Sequence, residues 1–304
     1  MCGIKFLPAI FLAVIEWNMT MNVQNWWIFL CAVAVLNIAA WTASALYLRH
    51  HYENFFSSAY HRQRRWMLWL SAAYAGGCAF RSFLPRIDLE RICLVQSALS
   101  NMMVGRGVAT VAELCFIAQC ALLLHQAGSS KNNRFVVSVS LLLIPVIVVA
   151  EFSSWYAILS TNYFGHVLEN SIWTFSAVLL LASLVALWSH SDRKHRHFLA
   201  AMMVFAIGYI LFMISIDVPM YWSRWNEDLL AGVSYLSLGQ GVLDASLPCV
   251  VDFSWDVWQQ EIPWLTLYFT VAVWVSISLA HAPGWYKGSS KRHDVSALPV
   301  DTNY

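Results

Sequence analysis

"FVVSVSLLLIPVIVVAEFSSWYAI", Phe135–Ile158, runs for 24 residues with one charge, Glu151. About 20 apolar residues in a helix cross the hydrocarbon core of a bilayer. In lipid the backbone must satisfy its own hydrogen bonds, which an uninterrupted helix does. The stretch therefore predicts a transmembrane helix, and its lone carboxylate asks for a partner. Just beyond it lies "STNYFGHVLENSIW", Ser160–Trp173, with His166 and Glu169 one turn apart at the mouth of the next apolar run.

Six further windows resemble this one. With it they predict spans near 26–48, 66–84, 104–126, 135–158, 167–189, 198–218 and 262–281. The second is interrupted by Gly76, Gly77 and Arg81. The whole chain of 304 residues is 59% hydrophobic and 12% charged, with mean hydropathy +0.57, outside the range of a soluble domain. The expected fold is an all-α integral membrane protein of seven transmembrane helices. A net charge of +1 argues against a nucleic-acid partner. The bilayer is the partner that composition itself implies, and protein partners are not indicated.

Three parts follow: an N-terminal segment 1–25, the helical domain 26–281 and a tail 282–304. "KFLPAIFLAVIEW", Lys5–Trp17, has the apolar core length of a signal peptide but no clear cleavage site, so a processed leader and a retained interfacial segment both fit. Asn18-Met19-Thr20 is a glycosylation sequon. Within the helical domain, 219–260 is expected as one long, aromatic and acidic outer loop folded over the bundle mouth.

Orientation follows from basic residues, which concentrate in cytoplasmic connections. Segments 49–65, 127–134, 190–197 and the tail hold 12 of 18 Lys and Arg but only 4 of 17 Asp and Glu. This sets the N-terminus outside and the C-terminus in the cytosol. Tryptophans agree: Trp26, Trp27, Trp155, Trp222, Trp255, Trp258 and Trp264 fall at the outer boundary, and Trp66, Trp69, Trp188 and Trp285 at the inner one. Cys93 and Cys249 both lie outside, where an oxidising compartment permits a disulfide between them. Cys31, Cys78, Cys115 and Cys120 read as small hydrophobes within spans.

Ionisable residues within spans normally face the bundle interior and one another. Arg106 and Glu113 share a face of the third span with Thr110 between them, and Glu151 lies about 10 Å deep in the fourth. His166, Glu169 and Asn170 open the fifth span, Asp217 ends the sixth and Glu261 begins the seventh. All fall in the outer half, which predicts an outward-facing polar pocket. Glu113, Glu151, His166 and Glu169 are its candidate acid/base groups. Arg81, Arg106, Asp217 and Glu261 are its candidate ligand-binding groups, the arginines suited to an anion. Glu151, His166 and Glu169 also form a candidate divalent-metal set, although bundle di-metal sites use two Glu-x-x-His helices and this chain offers one, reversed. A purely structural Arg106–Glu113 pair is the rival reading.

Eight of ten histidines lie in cytosolic connections or at inner span ends. "HSDRKHRH" contains the HxxxxH of membrane desaturases, but no HxxHH accompanies it, so these read as a basic rim. Seven spans with the N-terminus outside match receptors and rhodopsins in topology only. The last span holds no lysine for retinal, and the third and seventh end in "LLLHQAG" and "ISLAHAP" where receptors carry their motifs. The expected function is a membrane-embedded enzyme or ligand-binding protein acting on a lipid-linked or small polar or anionic molecule. A transporter coupled through the same carboxylates is the alternative, disfavoured by the lack of inverted repeats and of polar groups in the inner half. A structural subunit of a larger complex is the third.

Overall fold

The computed structural model describes residues 22–52, 58–189 and 191–285. The expected leader, the Asn18 sequon and the tail from 286 onward lie outside the described residues.

Among the described residues the chain is all-α apart from three two-residue strands. Helices α1 (Val23–Tyr52) and α2 (Ser58–Phe83) lead into β1 (Arg86–Ile87) and β2 (Ile92–Cys93). Then come α3 (Met102–Ser130), α4 (Arg134–Ser160), α5 (Tyr163–Trp188) and α6 (Arg193–Phe212). A π-helical segment, Met213–Asp217, joins α6 to α7 (Val218–Ala231). The chain closes with α8 (Leu238–Ala245), β3 (Val250–Val251), α9 (Trp255–Trp258), α10 (Ile262–Phe269) and α11 (Val271–Ala280).

Among the described residues, six helical stretches are long and apolar enough to cross a membrane: Val23–His50, Met102–Ser130, Arg134–Ser160, Tyr163–Trp188, Arg193–Ala231 and Ile262–Ala280. That is the build of an integral, multi-pass membrane protein. Their outward surfaces carry large apolar side chains, among them Val35, Leu141, Phe152 and Val185. The stretch expected as a second span lies in α2, which is less apolar because Tyr74, two glycines and Arg81 dilute it. It packs nonetheless between α1 and α3 and against α11.

Connections are short because caps stop each helix where the next begins. Asn133 accepts from Val136 N–H to start α4, and Thr161 ends it in the left-handed conformation at φ 56°. Asn162 then accepts from Phe164 N–H to start α5. A Cβ at Gly165 would meet Ser153 O at 2.6 Å and Ala157 Cβ at 2.7 Å. Only glycine lets α5 lie this close to α4, and that approach sets the site.

The ends of the bundle differ. One, the basic end, carries the α3–α4 and α5–α6 connections, and there Arg64 donates to the carbonyls of Ala280 and Ala282. The other, the acidic end, is covered by segment 219–260. That segment is largely helical rather than a single loop: α7 prolongs α6 into one rod of 39 residues, Arg193–Ala231. α8 then returns over the end of α4, because Ser237 and Gln240 form a capping box that starts it. β2 pairs antiparallel with β1 and parallel with β3. Beside this ladder Cys93 and Cys249 are joined by a disulfide. Trp26, Trp258 and Trp285 are buried against protein rather than facing outward: Trp26 packs on Trp258 at 5.7 Å, and Trp285 on His195 at 4.1 Å.

Candidate functional site

At the acidic end α3, α4 and α5 bring four charged residues to one point. Arg106 Nη2 lies 2.9 Å from Glu113 Oε2, 2.6 Å from Glu151 Oε2 and 3.3 Å from Glu169 Oε1. Arg106 and Glu113 meet because seven residues are two helical turns. Glu151 and Glu169 reach them from the neighbouring helices that Gly165 holds together. All four are nine-tenths or more buried.

Neutral side chains complete the cluster. Thr110 Oγ1 donates to Glu151 Oε2 at 2.7 Å and accepts from Trp155 Nε1 at 3.1 Å. Tyr268 Oη donates to Glu113 Oε1 at 3.0 Å. His166 Nδ1 lies 2.7 Å from Glu169 Oε2. One guanidinium faces three carboxylates, a buried cluster held by charge-assisted hydrogen bonds. Two hydrogen-bonded pairs, Tyr268–Glu113 and His166–Glu169, thus stand on either side of the Arg106 guanidinium.

A second group stands nearer the mouth. Arg224 Nη1 is 2.6 Å from Glu261 Oε1 and 3.4 Å from Glu90 Oε1, and Tyr163 Oη donates to Glu90 at 2.6 Å. Asp217 sits in the π-helical segment and accepts from Asn170 Nδ2. The π turn swings this carboxylate off the register of a regular helix, a device common at functional sites. A third group is Arg81 and Arg86, which share Asp88 at 3.4 and 3.5 Å.

All three groups open on one cavity of about 660 Å³. Arg81, Arg106, Glu113, His166, Glu169 and Glu261 line it directly, whereas Glu151 and Asp217 stand behind, bonded to Arg106 and Asn170. The cavity continues toward the basic end between apolar walls of Leu123, Leu124, Leu184, Phe198, Met202 and Leu279. From Glu113 to Leu124 it runs about 16 Å along α3, at 1.5 Å per residue. Val204, Phe205, Leu267 and Val271 line it and are also 39–68% exposed, so an opening lies between α6 and the last two helices. A Cβ placed at Gly208, beside this opening, would meet nothing within 4 Å.

The eight expected site residues therefore gather at one end, in three bonded groups around one cavity. Two placements differ from the sequence reading. Arg106 is spent on carboxylates and is not an open anion ligand. The metal set is altered as well: Glu151 and Glu169 are joined by Glu113, with ligand-capable atoms within 4.8 Å of one another. Arg106 Nη2 already holds the place between them that a cation would take, and His166 Nδ1 is engaged by Glu169. A divalent ion there requires Arg106 to swing away.

Sequence reasoning missed Arg224, Tyr163 and Tyr221, the last lining the cavity with its Oη 3.4 Å from Glu261 Oε2. The signal for Arg224 was present, since it is the only Lys or Arg between residues 198 and 281. At the basic end, His125 pairs with Ser140, His195 with Asp192 and His281 with Ser44, on separate elements. Those histidines form a rim of individually satisfied side chains.

No protein-family model, no curated protein and no solved structure matches this chain.

Proposed function

We propose that this protein is a seven-helix membrane protein, N-terminus outside and C-terminus cytosolic, that binds or chemically alters an amphiphile drawn from the bilayer. The observation that carries this reading is the continuity of the cavity: ionisable groups line one end, apolar side chains the rest, and the opening is flanked by exposed apolar residues. Small-molecule sites span about 300–1,000 Å³, which includes this one. A polar headgroup is accommodated beside His166, Glu169 and Tyr268, and a hydrocarbon chain between α3, α5 and α6. A hydrophilic solute gains little from such walls, and this weighs against a transporter of ions.

In an enzymatic version, Glu113 with Tyr268 and His166 with Glu169 are the two acid/base pairs. Each couples a proton-bearing group to a carboxylate within hydrogen-bond distance, the arrangement that general acid/base chemistry uses. Arg106 holds the carboxylates in place without taking part in proton transfer.

The test is mass spectrometry of lipids extracted from protein purified in a neutral maltoside detergent. The expected result is a retained single-chain amphiphile in the wild type, lost when Gly208→Phe narrows the opening. Retention of bulk phospholipid alone, unchanged in Gly208→Phe, would sink the reading.

A further inference from the structure

We propose that Arg81 and Arg86 form an anion subsite in the cavity wall, so that the ligand is an amphiphile whose headgroup bears a phosphate, sulfate or carboxylate. This rests on the amphiphile reading above and narrows it.

Four arginines line the cavity, and they differ in how their charge is met. Arg106 faces three carboxylates and Arg224 two. Arg81 and Arg86 share one, Asp88, at 3.4 and 3.5 Å. Charge-assisted N–H···O bonds run about 2.7–2.9 Å, so Asp88 holds neither guanidinium tightly. The pair carries one positive charge more than its counter-ion supplies.

Its donors are equally unspent. Arg86 Nη1 donates to the carbonyls of Asn101 at 2.9 Å and Leu99 at 3.4 Å. Arg86 Nε and Nη2 and Arg81 Nε are buried with no hydrogen-bond partner in the protein. Side-chain exposure is 0% for Arg86 and 10% for Arg81. Buried polar groups are almost always paired, and a guanidinium with free N–H groups on a cavity wall is the usual form of a phosphate or carboxylate receptor. Arg106 also has an unpartnered Nε, but its ring of carboxylates repels an anion.

The local fold fixes Arg86 rather than leaving it mobile. It projects from β1 over the first turn of α3, where a Cβ at Gly105 would fall 1.5 Å from its Cζ. Glycine at 105 therefore makes room for the guanidinium. Burial brings Arg86 down to about 10, offset in part by Asp88, which leaves it charged at neutral pH.

The experiment titrates the purified full-length protein, in neutral maltoside, with hexadecyl phosphate, hexadecanol, hexadecyltrimethylammonium and inorganic phosphate. Trp173 and Trp264 line the cavity and supply the fluorescence signal. Hexadecyl phosphate is expected to bind at least about tenfold more tightly than hexadecanol, the scale of a lost charge-assisted bond. Arg81→Gln should remove most of that preference and Arg81→Lys restore part of it. Arg86→Gln risks the fold because Arg86 also ties down Leu99 and Asn101; Arg81 holds only Asp88, and the wild-type preference itself needs no variant. If hexadecanol or the ammonium compound binds as well as the phosphate, the anion subsite is overturned and the amphiphile reading stands. If no alkyl compound binds, both fall. If inorganic phosphate alone binds as tightly as hexadecyl phosphate, the site takes a free anion and the headgroup assignment is overturned.

Discussion

Arg106 is the residue on which the interior of the acidic end depends, because one of its nitrogens touches three carboxylates from three helices. Removing one partner of a buried ion pair strands the others, at a cost of about 3–5 kcal/mol. Arg106→Gln is therefore expected to lower the melting temperature sharply or to prevent folding, as read by size-exclusion chromatography in detergent. Tyr268→Phe makes the useful contrast. It deletes one hydrogen bond to Glu113 at a cost of about 1 kcal/mol, so the protein should fold while any proton-transfer chemistry slows. A Tyr268→Phe variant that turns over normally would exclude Tyr268 from the reaction. Sequence spacing pairs Arg106 with Glu113 but is silent on Glu151 and Glu169, since nothing in a linear pattern says which turns of neighbouring helices meet.

Among the elements, the α4–α5 contact decides the site. Gly165→Leu puts side-chain atoms where Ser153 O and Ala157 now lie, so α5 must move outward and carry Glu169 with it. Overpacking of this kind costs about 1–3 kcal/mol. The expected outcome is a folded, less stable protein with weakened binding of amphiphile; unchanged melting and binding would show that the helices are not so closely apposed. The Cys93–Cys249 bridge ties the short ladder to the segment above it across 156 residues of sequence. Peptide mapping without reductant should recover the two cysteines as one cross-linked species, and Cys93→Ser should melt earlier than the wild type. Segment 219–260 was legible as polar and aromatic, yet not as helices. α7 grows out of a span whose apolar run ends at Val218, so periodicity there is masked by the change of surroundings.

For the molecule as a whole, the proposed seven-span topology makes one direct prediction. Reporter sites at Asn132 and at the C-terminal Tyr304 should be accessible from one side of the membrane, and a site at Gly232 from the other. Finding Gly232 and Tyr304 on the same side would mean that the last helix does not cross.

What the sequence by itself determined is the class: all-α, with apolar helices of membrane-crossing length, the ionisable residues within the spans gathered toward one end and basic residues concentrated at the other. These follow from composition and from the length of apolar runs, which are properties of each segment alone. Only the tertiary structure decided that the scattered ionisable residues face one cavity, that Arg106 meets three carboxylates while Arg81 and Arg86 share one, and that Trp26 and Trp258 belong to the interior. The physical reason is that the rotation and depth of each helix are set by close contacts such as that at Gly165, and such contacts between distant residues leave no periodic mark in the chain.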